Sequence, residues 1–594
     1  MTRLGAIRFF LTSFFTLSAV ACIAQTLSSA AQSDIATPSL NSILNQFRLN
    51  ALSTHRVFHP EHGEVRTLRR LGLGTSQPAL PLNRYLSIFV SDVDTTKAIK
   101  FSEVMDQLVQ QSGDTQLTKQ VLFSQWWDTQ GQGPGLGLGP HCDDASPPNP
   151  PQGVANQTAN SLLNGFPYRC PRLEATEAAS DPFANEVYFN PNAYSAIAFS
   201  NRFDLLSSAV DAGNGKVTFP DCGEYRIVFA RNSGQVDPRN RNLIIFEARV
   251  ANPDPRPEAK TDATPTGCLP ILNFWHSLSD PQMTAEQRGA KLHDFYMNGQ
   301  LLGGEQIGPI VDIDNYSFTS GQIRTNQFML NLPKPPPAPF DWTLREFKAV
   351  KLNGTVLIVP DTVKANPSPD LFAAGDTDTR IAALSQAIRA QMKTILGIAH
   401  DPNSVDDVNS IGFSVAGEGV NAFESDEKGA PNDPAIGDIM ATFDPGNTVP
   451  LGRSDAFVTN IQNALNVAVP GNTMLTPLNV IDRIRTQTCA GCHQFSDGSV
   501  DKIGLGGKAV WPNKRAGDVS GPSDLTNHPP MPFTQESEQL SDLRDAISLS
   551  AGGKNGKRWA ISTTVECLLD AREKLIDEAL GLPLNTTDHC PPRN

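Results

Sequence analysis

The sequence predicts an α+β protein whose first part is strand-bearing and loop-rich and whose later part is helical. Three observations predict it. Runs rich in β-branched and aromatic residues, bounded by Gly and Pro, recur between residues 86 and 360. From about residue 366, apolar residues return at helical spacing instead. No internal repeat at a fixed period emerges along the 594 residues, so solenoid and propeller architectures are not indicated.

The elements follow in order. Residues 1–24, MTRLGAIRFFLTSFFTLSAVACIA, set Arg3 and Arg8 ahead of an apolar run that ends in small residues, the pattern of a cleaved secretory signal. The run is too short and too rich in Ser and Thr for a membrane-spanning helix, which needs about 20 apolar residues. AVAC weakly resembles a lipobox with Cys22 as the lipidated residue, but Ala19 stands where a larger aliphatic is usual. Soluble export to the periplasm or medium is therefore preferred over a lipid tether or peripheral membrane association. Residues 25–80 read as an N-terminal extension.

Residues 81–365 read as a strand-rich α+β domain. Strands are predicted at 86–93 (LSIFVSDV), 224–230 (EYRIVFA), 242–250 (NLIIFEARV), 346–352 (EFKAVKL) and 354–360 (GTVLIVP), the second and third as partners. Helical patterns interrupt at 97–111 and 284–302. Breaker-rich stretches at 130–153, 251–267 and 332–341 read as surface loops or polyproline segments. Residues 366–475 read as a helical bridging region, with helices over 378–397 and 455–469. The final region, 476–594, opens with Thr476-Pro477, an N-cap and first-turn proline, followed by Leu478, Ile481 and Ile484 at helical spacing.

The net charge of −14 resides mostly before residue 481 and argues against a nucleic-acid partner. Beyond the leader, the cysteines are Cys142, Cys170, Cys222, Cys268, Cys489, Cys492, Cys567 and Cys590. Six lie outside any Cys-x-x-Cys pair and read as disulfide partners in an exported chain. Sequence order suggests Cys142–Cys170, Cys222–Cys268 and Cys567–Cys590, although six cysteines permit about 15 pairings.

Cys489, Cys492 and His493 stand apart. Cys-x-x-Cys-His is the attachment motif of c-type haem: two thiols form thioethers to the porphyrin, and the adjoining imidazole ligates iron. A helical turn carrying both thiols straddles the haem edge. Zinc would need a second ligand pair, which the sequence lacks. A dithiol redox pair would leave His493 unexplained and lacks its βαβ setting.

From about Thr476 onward the chain resembles a class I cytochrome c module: a helix into TCAGCH, a loop-rich middle, Met531 within HPPMPF, then helices at 537–549 and 561–580. The resemblance implies an all-α haem module with one covalent haem c, His493 as proximal ligand and Met531 as second axial ligand of the iron. His528, or an open iron, are the alternatives at that position. Trp511 and Phe533 are candidates for an apolar wall, with ordinary core packing as the simpler role.

Upstream, SNRFDLL, CGEYRIVFARNSG, LIIFEARV, GQIRTNQFML and WTLREFKAVKL resemble segments of an uncharacterised family of exported bacterial proteins that also end in a TC-x-GCH motif. That resemblance implies no activity. DVDTTKAIKFSE (92–103) has acidic residues at calcium-hand spacing, but Lys97 replaces the turn glycine, so it reads as a helix start. Arg324, Asn326, Arg345 and Glu346 are candidate polar site residues, with surface ion pairing as the simpler reading; His276 reads as a partly buried histidine.

Three functions remain open at this level. The leading expectation is an exported haem c protein that passes electrons to a redox partner protein through His493- and Met531-ligated iron. The alternatives are a haem-dependent peroxidase or oxygenase with an open iron, and an envelope binding protein with an accessory haem module.

Overall fold

The computed structural model describes residues 80–127, 181–183, 191–207, 209–235, 242–259, 265–318, 320–330, 340–352, 354–363, 379–398, 455–471, 475–486 and 563–585. It also describes short pieces at 162–163, 166–167, 367, 371, 423–424, 427–429, 538–540 and 559–561. Strands and helices coexist, as an α+β chain requires.

The centre is one antiparallel sheet. Its strands are β1 (Phe89–Val90), β2 (Tyr194–Arg202), β3 (Asp221–Arg231), β4 (Asn242–Ala251), β5 (Gln322–Leu330), β6 (Phe340–Leu352) and β7 (Thr355–Asp361), which lie side by side in chain order. A short β8 (Glu427–Gly429) pairs with β6 over Trp342–Leu344, beyond the β7 register. The predicted pairing of 224–230 with 242–250 is present, with Arg226 opposite Glu247 and Glu224 opposite Arg249. A bulge between Asp221 and Glu224 is turned by Gly223 at φ +84°. A Cβ at Gly223 would stand 2.6 Å from the Arg202 carbonyl oxygen, so only glycine fits the bulge without strain.

Successive side chains point to opposite faces of a strand, and here the faces differ in chemistry. One face carries Tyr225, Ile227, Phe229, Phe246 and Ile323, all buried. Helices α1 (Phe101–Ser112) and α3 (Leu269–Ser277), and the turn that follows α2 (Lys119–Ser124), supply aromatic partners. Ring centroids are 5.1 Å apart for Phe101–Phe229, 6.0 Å for Trp126–Phe246 and 5.8 Å for Tyr225–Trp275. Fully burying such a side chain contributes about 1.5–3 kcal/mol. The disulfide Cys222–Cys268 joins the start of β3 to the turn that opens α3. This is one of the three pairs that sequence order suggests.

Helix α4 (Ala285–His293) opens with a capping box between Thr284 and Gln287. It runs into a wider turn, Asp294–Asn298, and stops at Gly299, φ +70°, so the helical pattern over 284–302 ends early and Gln300–Leu302 is a strand. The predicted strand 86–93 also shrinks, to Phe89–Val90. Asn83 and Asp92 accept bonds from Tyr85 N–H and Thr95 N–H, capping helical turns on either side. Asp92 thus starts a helix, as the sequence suggested. Within the predicted helix 537–549, Glu538–Leu540 is instead a strand paired with Trp559–Ile561.

A second hydrophobic core lies among α5 (Arg380–Ala390), α6 (Met392–Ile395), α7 (Asp455–Ala468) and α8 (Pro477–Thr486), through Leu384, Ile388, Ile395, Ile461, Leu465 and Ile481. The last helix, α9 (Thr563–Leu580), packs elsewhere: Leu569, Ile576 and Ala579 belong to the sheet core. Among the described residues, no helix is long and apolar enough to cross a membrane.

Candidate functional site

The chemistry-bearing motif is reached along α8. Thr476 caps this helix: its hydroxyl accepts from Asn479 N–H at 3.4 Å, while the Asn479 side-chain oxygen accepts from Thr476 N–H at 2.7 Å. Pro477 occupies the first turn, where its missing N–H costs nothing. Val480, Ile481, Asp482, Arg483, Ile484 and Thr486 are all buried, so the helix is enclosed around most of its circumference. Arg483 is fully buried and donates from Nη1 to the Leu396 carbonyl at 3.1 Å, fastening α8 to the end of α6. The Thr486 hydroxyl donates back to the Arg483 carbonyl at 2.6 Å.

Three residues past this anchored end comes Cys489. Cys489, Cys492, His493, His528, Met531, Trp511 and Phe533 lie outside the described residues, as do Cys22, Cys142, Cys170 and Cys590 and the leader. Cys567 stands on α9, whose backbone is described there. Among the described residues, no group of three or more His, Cys, Asp or Glu is arranged to hold a metal ion.

The upstream candidates gather in a second place. Arg324 and Glu346 sit opposite each other on β5 and β6, with Arg324 Nε 3.3 Å from Glu346 and 3.2 Å from Glu247. They are not surface residues: Glu247 and Glu346 have side chains 0% exposed. The same face carries Glu224, Arg226, Gln322 and Lys348. Gln322 Nε2 donates to Glu247 at 2.6 Å and to Glu224 at 3.2 Å; Lys348 Nζ donates to the Gly321 carbonyl at 2.8 Å. Arg226 pairs with Glu224 and, at 3.3 Å, with Glu247. Arg249 closes one end on Asp221 at 3.1 Å. Asn326 and Arg345 are buried too, but Arg345 lies opposite Thr325 and so points to the other face.

The two central carboxyls are driven apart. Burial raises Glu224, but Arg226, Arg249, Arg324 and Arg202 together outweigh it and leave the group below the usual carboxylate range. Burial dominates at Glu247, which stays raised against Arg226 and Arg324, with Glu224 repelling its charge. Such a pair can divide acid and base roles. Here, however, acids and bases alternate across adjoining strands and each is engaged by a neighbour, so the arrangement works as an internal ionic lattice. Sequence inspection missed most of it. The available signal was charge at every second position of apolar strands: Glu224 and Arg226, Glu247 and Arg249, Glu346 and Lys348.

His276 is half-buried, its Nε2 2.7 Å from the Leu80 carbonyl, a structural role in keeping with the sequence. Beside it on α3, a cleft of about 520 Å³ is lined by Leu269, Pro270, Phe274 and Leu302 with Lys291 and Gln300 at its polar side. Its size suits a small ligand, but its lining offers no nucleophile with a neighbouring base.

In comparisons with family models, curated proteins and solved structures, nothing matches the chain.

Proposed function

We propose that this chain is an exported haem c protein that carries electrons, with one covalent haem held by Cys489, Cys492 and His493 and a second axial ligand from Met531. The observation that carries this reading is the donor set itself. Two thiols and an imidazole within five residues match thioether attachment plus proximal ligation, and the zinc and dithiol readings each leave a residue unused or a ligand missing. The setting supports it: the preceding helix is capped, buried and tied to α6, as a rigid mount for an attachment turn should be. Bound there, haem c supplies one-electron chemistry, and a Met/His-ligated iron has no open position. Residues 476–594 are then a cytochrome c-like module, the leader 1–24 is removed on export to the periplasm or medium, and the physiological partner is another redox protein.

The test is a visible spectrum of protein matured in a host with cytochrome c assembly. Low-spin bands on reduction, with a weak red sulfur-to-iron band that disappears in Met531→Ala, are expected. A high-spin ferric spectrum that shifts with cyanide would replace this reading with the peroxidase or oxygenase alternative. Cys492→Ala is expected to abolish two-point covalent attachment by haem stain and mass; covalent haem unchanged in that variant would refute the assignment.

A further inference from the structure

Helix α9 docks on the sheet body through two adjoining stripes. One is apolar, Leu569, Ile576 and Ala579. The other is acidic: Asp570, Glu573 and Asp577 recur at helical spacing, one face of the same helix. Glu573 and Asp577 are 3% and 2% exposed. Among the described residues, Arg84 of the body answers this stripe, pairing with Asp570 through Nη1 and with Glu573 through Nη2. Arg572, on α9 itself, is directed to Asp204, 3.6 Å away, which also pairs with Arg202. Around Asp577, Glu578 follows it, Asn585 N–H donates to it at 3.4 Å, and Arg84 acts on it only at a distance, without an ion pair between the two. Helix α3, packed against α9, brings His276, which is engaged with Leu80. Among the described residues, Asp577 is thus a buried carboxylate with no ion pair of its own.

We propose that α9 is a proton-linked latch, held tightly to the sheet body while Asp577 is protonated and loosened when that proton leaves. A neutral Asp577 removes the repulsion from Glu573 one turn away and lets Arg84 serve the two carboxylates it contacts. Burial first, then Glu573, pushes the Asp577 carboxyl up to about 6. The sign follows from linkage. The docked state binds the proton more tightly than the undocked one, so the stabilisation is complete below the ordinary aspartate range near 4 and is lost as pH rises through about 6. The latch terminates the segment that begins at Cys489, but it operates on α9 and the body alone and does not depend on the haem assignment.

Hydrogen exchange of peptides spanning 563–582 in the full-length protein tests this, with rates corrected for intrinsic pH dependence. Opening of α9 is expected to rise about tenfold between pH 5 and pH 8, with a midpoint near 6, while peptides from β3 stay unchanged. In Asp577→Asn the rise is expected to vanish and protection to remain at its low-pH level. Equal protection of the wild-type helix at both pH values overturns the proposal. So does an undiminished rise in Asp577→Asn, which would assign it to another group. Should that variant disturb the sheet, the wild-type titration decides: no midpoint between pH 5 and 7 refutes the latch.

Discussion

Glu224 and Glu247 show how one position apart on a lattice changes what a side chain contributes. Glu224 is held ionised by four arginines, whereas burial favours the neutral form of Glu247. Replacing Glu224 by Gln removes a working buried charge and is expected to cost about 3–5 kcal/mol. Glu247→Gln, at a group whose charged form burial already disfavours, is expected to cost less; urea unfolding of both variants at pH 7 checks the order, and equal losses would contradict the assignment. Gly321 shows a different constraint. A Cβ there would stand 1.9 Å from the Glu247 carbonyl oxygen and 2.5 Å from that of Asn315. Gly321→Ala is expected to lower stability by about 1–3 kcal/mol or more, read as a shift in urea midpoint. Such residues were only partly legible: charges at alternate strand positions are visible in the sequence, but whether they face water or one another depends on neighbours more than 20 residues away.

At the scale of elements, legibility tracked local signals. Helix α8 begins where Thr476-Pro477 said it would, because cap and proline act within one turn. Thr476→Ala is expected to cost about 1 kcal/mol, measurable by chemical denaturation. Strands β3, β4, β6 and β7 were legible from their β-branched and aromatic content. β2 was not, since YSAIAFSNR mixes small and polar residues and owes its strand form to pairing with β3. Helix α3 was missed because LPILNFWHS is apolar nearly all round and shows no polar stripe. The register of β3, β4, β5 and β6 is doubly specified. A slip of one residue would turn the ionic row into the aromatic face and the aromatic row away from it.

For the whole molecule, the placement of α8 and α9 matters most. The first shares a core with α5, α6 and α7, the second with the sheet. A fragment of residues 476–594 is therefore expected to expose both apolar stripes. It should show no cooperative thermal unfolding by far-UV circular dichroism, whereas the full chain should; a cooperative transition in the fragment would show that the module stands alone. In the sequence α8 and α9 read as parts of one unit; which core each helix joins is set by long-range packing that local patterns do not carry. The Cys-x-x-Cys-His motif is a pattern of five adjacent residues, so the haem attachment proposed for it is argued from the sequence and needs no tertiary information.

The Arg84 ion pairs also constrain the timing of folding. They join positions 486 and 489 residues apart, so drawing them together from an open chain would cost about 5–6 kcal/mol in chain entropy. The meander, by contrast, adds each strand to the one before it and shortens that path as it grows. The Arg84 contact is therefore expected to form after the sheet that shortens the path between its partners. A chain truncated before α9 would complete its sheet yet lack the clasp.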